Sequence, residues 1–272
     1  MRRLLAVALG LGLGLGLAEA PAETVVLAST TSVENSGLLA HILPLFEKET
    51  GIEVRVLALG TGQALAVTTR GDADLLLVHD PEAEAAFMTA GHGDSRQFVA
   101  WNDFIVVGPA TDPAHVKGSH DATAALVSIS SVQAPFVSRG DKSGTNALEL
   151  RLWRAAGLDP ADFGGWYKDI GGGMGAALNA ASAMGGYTLS DRGTWLAFNN
   201  KGELVIEVEG AKDLLNLYSV IVPTPAEHRE AGRAPARRLA TWLLSPEGQG
   251  TIADYRLQGQ TLFHSNADPL PQ

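Results

Sequence analysis

Four short stretches of this sequence place Ser and Thr where a strand-like run gives way to a helix-like one. They are Ser29-Thr30-Thr31-Ser32, Gly60-Thr61-Gly62-Gln63, Ser138-Arg139-Gly140-Asp141-Lys142-Ser143-Gly144-Thr145 and Thr188-Leu189-Ser190-Asp191-Arg192. The first turn of a helix leaves backbone N–H groups without partners and carries about half a positive charge, so it attracts anions. Hydroxyls add donors there, and Arg139 and Arg192 add a rigid fork of donors suited to an oxyanion. Taken singly, each stretch is ordinary helix capping. Taken together, the four can converge on one small oxyanion. Arg192 serves equally well as the partner of a neighbouring acid, and Asp191 as a helix cap.

Other chemistries find less support. The chain has no cysteine, which removes disulfides, thiolate metal sites and cysteine nucleophiles. No two of its seven histidines stand at the spacing of a helical metal pair, so no metal site is expected. The glycines at 171–175 lack a P-loop lysine and do not complete a dinucleotide fingerprint; they read as a turn. No Gly-x-Ser-x-Gly elbow is present, and His79-Asp80, the best acid/base pair, has no nucleophile beside it. No enzyme and no cofactor are expected. Asp80 matters in another way: pointed at a bound anion, it would accept a hydrogen bond only from a protonated one such as phosphate, whereas as a cap for the helix starting at Pro81 it would leave the site to donors alone.

The elements that must position these residues alternate. Strands read at 24–29, 52–59 and 73–78, with helices at 38–49, 63–69 and 81–89, and Pro44 is expected to kink or break the first helix. Such alternation predicts an α/β fold with parallel sheets covered by helices and ligands bound beyond the carboxyl ends of the strands. A long extended stretch at 98–107 and a similar one at 217–222 read as two crossings between lobes. Between them the pattern repeats, with helices at 122–128, 145–156 and up to 183, and strands at 136–137, 187–189 and 204–208. Residues 21–105 and 220–272 would form lobe 1, and 106–219 an inserted lobe 2.

Composition sets the setting. A formal charge of −10, from 20 Lys+Arg and 30 Asp+Glu, argues against nucleic-acid binding, and 46% apolar residues suffice for a substantial core. Arg2-Arg3, the apolar stretch 4–17 and Ala18-Glu19-Ala20 have the layout of a secretory signal cleaved after Ala20. The run of about 14 residues is shorter than a spanning helix needs. Residues 1–20 are thus read as a signal peptide, and the mature chain as periplasmic, monomeric and not inserted in the membrane.

Several motifs in one order carry a family resemblance. Thr30-Thr31-Ser32 with Glu34-Asn35-Ser36-Gly37-Leu38, the segment 102–109, Phe136-Val137-Ser138-Arg139-Gly140-Asp141 with Ser143-Gly144-Thr145, Gly173-Met174-Gly175-Ala176, and Tyr187-Thr188-Leu189 with Asp191-Arg192-Gly193-Thr194 resemble the tungstate-binding proteins of Tup-type ABC transporters. The resemblance implies a type II periplasmic binding protein, two α/β lobes joined by two crossing strands, with tungstate or molybdate in the interlobe cleft. It also implies delivery to an ABC permease with its cytosolic ATPase. It assigns Thr30, Thr31, Arg139 and Thr145 to the ligand; Ser143 and Thr61 fit by position, and Ser138 and Arg192 complete the expected set. A phosphate- or sulfate-binding protein and a periplasmic oxyanion sensor are the competing readings.

Overall fold

The computed structural model describes residues 23–225 and 232–270. The signal read at 1–20 lies outside the described residues. In chain order, β1 (Thr24–Thr30), α1 (Thr31–Asn35), α2 (Leu38–Thr50), β2 (Glu53–Leu59), α3 (Thr61–Thr69), β3 (Leu75–Val78) and α4 (Pro81–Thr89) form the first alternating run. The long strand β4 (Gly93–Pro109) leads out of it. A second run holds α5 (Ala122–Ser131), β5 (Phe136–Ser138), α6 (Gly144–Ala155), β6 (Tyr167–Asp169), α7 (Met174–Met184), β7 (Tyr187–Asp191), α8 (Arg192–Ala197) and β8 (Leu204–Val208). The strand β9 (Leu215–Pro223) returns. The chain then ends in α9 (Arg233–Leu244), α10 (Pro246–Asp254) and three two-residue strands, β10 (Arg256–Leu257), β11 (Gln260–Thr261) and β12 (His264–Ser265).

The sheet order β2-β1-β3-β9-β4-β7-β5-β6 runs through both lobes. β1 lies parallel to β2 and β3, and β5 parallel to β6 and β7, while β4 and β9 are antiparallel to their neighbours. This is the two-lobed α/β architecture of a type II periplasmic binding protein. β4 pairs with β9 from Gly93↔Pro223 to Asp103↔Leu215 and then, from Phe104, with β7. One strand therefore belongs to both halves, and its switch of partner lies between Asp103 and Phe104.

Burial explains the local choices. β3 (Leu-Leu-Leu-Val) lies between β1 and β9 and is buried along its whole length, as a strand covered on both faces should be. α2 stays continuous through Pro44, so the proline does not break the helix. Ala40, whose carbonyl loses its helical donor, and Pro44 both lie on the exposed face, while Leu39, Ile42, Leu43 and Phe46 anchor the other face in the core.

Candidate functional site

The ends of β1, β3, β5 and β7 face one another across a cleft between the lobes. Thr31, Ser32 and Asn35 of α1, Arg139 after β5, Gly173–Gly175 at the start of α7, and Thr194 and Ala197 of α8 line a cavity of about 320 Å³. Among the described residues the lining is made of hydroxyls, an amide, glycines, the apolar Met174 and Ala197, and one cation, with no carboxylate.

Each anchor has a local cause. Thr30 caps α1 by accepting from Val33 N–H at 3.2 Å, which leaves Thr31, the next residue, exposed on the cleft. Arg139 is buried; its Nη1 donates to Thr145 Oγ1 at 3.2 Å, and its Nε donates to Asp141 at 3.1 Å with Nη2 on the same oxygen. Burial pushes the Asp141 carboxyl up, but bonds from Ser143 and the Arg139 charge outweigh it and hold it below its ordinary value. Arg139 and Asp141 thus form a neutral ion pair. Gly140 between them has φ +61°, and a Cβ there would lie 1.6 Å from Asp169 Oδ1, so only glycine fits the turn that presents the arginine. The backbone of Arg139 also accepts from Gly172 N–H at 2.8 Å, which sets the glycine turn against the cation.

The glycines at 171–175 do more than turn the chain. Gly173 is the N-cap of α7 and has no side chain to cap the first turn; Ala176 N–H bonds to Gly173 O at 3.0 Å, which leaves the amides of Met174 and Gly175, both residues of the cavity lining, without a side-chain cap. Sequence reasoning missed this contribution, together with Asn35 and Thr194. The available signal was a glycine ahead of a helical run without Ser, Thr, Asp or Asn at the cap.

Below the cleft, the lobes touch at Thr61, His79 and Gly144. A Cβ on Gly144 would stand 3.3 Å from His79 Cε1 and 3.8 Å from Thr61 Oγ1. Thr61 Oγ1 is buried with no hydrogen-bond partner among the described residues. Thr145 is buried beside Arg139, and Ser143 caps α6 through Asn146 N–H at 3.3 Å while remaining partly exposed.

Of the eight residues expected at the ligand, Thr31 and Arg139 line this cavity; Thr30, Thr61, Ser143 and Thr145 lie outside its lining, and Ser138 and Arg192 are engaged elsewhere. Ser138 is buried and donates to Glu149 Oε2 at 2.6 Å, so its hydroxyl serves the lobe 2 interior; burial pushes the Glu149 carboxyl up, and Ser138, Tyr167 and Trp153 donate to it. Arg192 donates to Asp103 through Nε and Nη2 at 2.6 Å each and to Glu209 at 2.8 Å, away from the cavity. Its guanidinium braces α8 against β4 and the end of β8. Asp191 accepts from Thr194 N–H at 2.7 Å and caps α8. Asp80 caps α4 through Ala83 N–H at 3.3 Å and accepts from Arg151 of α6, also at 3.3 Å, so its carboxylate bridges the lobes outside the cavity.

His79 is bonded to side chains on both ring nitrogens. Its Nε2 lies 3.0 Å from Thr30 Oγ1 and its Nδ1 2.8 Å from Asn216 Oδ1, and the ring stacks on Tyr218.

A model of the PBP superfamily domain matches residues 17–247. The tungstate-binding protein TupA of Peptoclostridium acidaminophilum is 44% identical over 97% of this chain and 95% of its own length. Among solved structures, the tungstate-binding protein TupA of Desulfovibrio alaskensis G20 superposes with a TM-score of 0.83 at 43% identity, covering 91% of this chain and all of that one. The tungstate ABC transporter structure from Geobacter sulfurreducens gives a TM-score of 0.76 at 41% identity, over 86% of this chain and 99% of that one.

Proposed function

The chain belongs to the PBP superfamily and, within it, to the family of TupA tungstate-binding proteins, and from that premise we propose that it captures tungstate in the interlobe cleft and hands it to an ABC permease. The observation that carries the reading is the cleft lining, which offers hydroxyls, helix amides and one paired arginine but no carboxylate.

Tungstate is held through its oxygens, all of them acceptors at neutral pH. A lining with donors and no carboxylate suits such an ion and disfavours hydrogen phosphate, whose proton would find only hydroxyl and amide oxygens, weaker acceptors than a carboxylate. Asp80, the one carboxylate that sequence reasoning set against tungstate, is occupied as a helix cap and by Arg151. Selection against sulfate then rests on size, because the metal oxyanions are larger.

Thr31, Thr61, Arg139, Ser143 and Thr145 supply the donors in this reading, with Thr30 placing α1; Ser138 and Arg192 support the frame. Arg139 contributes directed hydrogen bonds more than net charge, since Asp141 already offsets it. In a cleft of low dielectric such directed donors count for more than in water. The bound ion would draw the lobes, 21–105 with 220–272 and 106–219, together about β4 and β9. The closed form is what a permease and its ATPase would recognise, and export by the segment 1–20 would put the monomer in the periplasm.

Calorimetric titration of the anion-free protein with tungstate, molybdate, sulfate and phosphate tests this. Tungstate should bind in the nanomolar range, with sulfate and phosphate weaker by orders of magnitude. Phosphate binding as tight as tungstate would overturn the assignment.

A further inference from the structure

The hydrogen-bond directions around His79 lead one step further. Asn216 Nδ2 donates to Asn102 Oδ1 at 2.8 Å and to Tyr218 Oη at 2.7 Å, and Tyr218 O–H donates to Asn102 Oδ1 at 3.2 Å. With its nitrogen so engaged, Asn216 presents Oδ1 to the imidazole, and His79 Nδ1 must carry the hydrogen of that 2.8 Å contact. In the neutral ring Nε2 is then a bare acceptor, and the hydrogen of its 3.0 Å contact comes from Thr30. A hydroxyl has one hydrogen and two lone pairs. Thr30 uses the hydrogen on His79 and a lone pair on Val33 N–H. In this state it has nothing to donate to an anion.

Charge points the same way. Among the described residues Arg139 is the only formal charge lining the cavity, and Asp141 already neutralises it. A dianion entering there brings charge that the lining does not balance. The buried titratable group bonded to Thr30, one residue from the lining residue Thr31, is His79. It is faced by the carboxylates of Asp191 from the cap of α8 and Asp80 from the cap of α4, and by the uncharged Thr30 of β1, Thr61 of α3, Gly144 of α6, and Asn216 and Tyr218 of β9. No cation is among these neighbours. Burial holds the ring below its ordinary value despite the Asn216 bond and the two carboxylates, so it is neutral in the empty cleft.

We infer that oxyanion binding takes up a proton at His79 Nε2, which reverses the bond to Thr30 and releases the Thr30 hydroxyl hydrogen toward the anion. The proton comes from the buffer, and the ring becomes an imidazolium donating to both Asn216 Oδ1 and Thr30 Oγ1. This rests on the oxyanion-binding reading above. Because Asn102 and Asn216 sit opposite each other on the two crossing strands, the same network ties the state of His79 to the hinge.

Titrating the full mature chain with tungstate near pH 7 in PIPES, HEPES and Tris tests it, since these buffers differ in ionisation enthalpy. The observed heat should vary linearly with that enthalpy, with a slope approaching uptake of one proton per anion, and Kd should rise up to tenfold per pH unit on the alkaline side. His79→Gln, which cannot titrate but can donate an amide hydrogen to Thr30, should bind tungstate with heats independent of buffer. Imidazole nitrogen shifts of the wild-type protein should show the His79 ring gaining a hydrogen on Nε2 when tungstate is added, a readout that does not depend on the variant folding. Tungstate binding without proton uptake would overturn the inference and leave the binding reading intact, as would uptake unchanged in His79→Gln. Absence of tungstate binding at any pH would remove both.

Discussion

Replacing Thr61 with valine should make the empty protein more stable and the loaded one weaker. The hydroxyl at Oγ1 is buried, with no partner among the described residues, in a side chain of which 5% is exposed. Leaving such a group without a hydrogen bond costs about 1–3 kcal/mol, and valine has nearly the same shape without the polar atom. A gain of about 1 kcal/mol would raise Tm by about 2–4 °C for a chain of this size. If the hydroxyl donates to the oxyanion, its loss removes a hydrogen bond to a charged group, worth about 1.5–3 kcal/mol. Kd for tungstate should then rise roughly 10- to 150-fold. Thermal unfolding in anion-free buffer and calorimetric titration read the two effects separately. A valine variant that unfolds at lower temperature, or one that binds with unchanged affinity, would refute the assignment of Thr61 as a donor held in readiness for the ligand.

Arg139→Ala removes the guanidinium donors and leaves Asp141 unpaired beside the dianion, so binding should weaken by about 2–5 kcal/mol; the double variant with Asp141→Ala should recover part of that in the same titration. Arg192→Ala leaves Asp103 without its bidentate partner and should lower stability by about 1–3 kcal/mol in denaturant unfolding, with tungstate affinity changed less than twofold. Glu207 is buried, and burial followed by the Asp112 charge pushes its carboxyl up to about 7 from an ordinary 4.5. The folded state therefore holds this proton more tightly than the unfolded chain does. The resulting stability is fully present below pH 4.5 and is lost as pH rises through about 7, and Glu207→Gln should flatten that part of a stability-against-pH curve.

How much could be read in advance depended on how local the determinants were. α4 begins at Pro81 and β8 spans Leu204–Val208 as the sequence suggests, because a proline at the first helical position and a short β-branched run are local signals. α1 was not legible. Its five residues, Thr31–Asn35, are shorter than any hydrophobic period can show, and the helix exists because Thr30 caps it and Val33 is buried. Among the site residues, Thr31 and Arg139 could be placed from their motifs. The distribution of the remaining hydroxyls and cations could not, because it is decided by distant partners. Ser138 answers to Glu149 across a turn of chain, and Arg192 to Asp103, 89 residues earlier. A donor's sequence neighbourhood shows that it can bind an anion, but not whether a carboxylate from another strand reaches it first.

The pairing of β4 with β9 has a mechanical consequence. A hinge made of two independent loops would let one lobe bend, twist and slide relative to the other. Here the two crossings are hydrogen-bonded to each other up to the residue where β4 changes partner. That ladder resists shear and relative sliding, and it leaves bending about a single axis as the soft motion. Such a ladder would confine the empty protein to a one-dimensional path of shapes instead of a cloud. A partner can distinguish loaded from empty by one coordinate, the width of the cleft mouth.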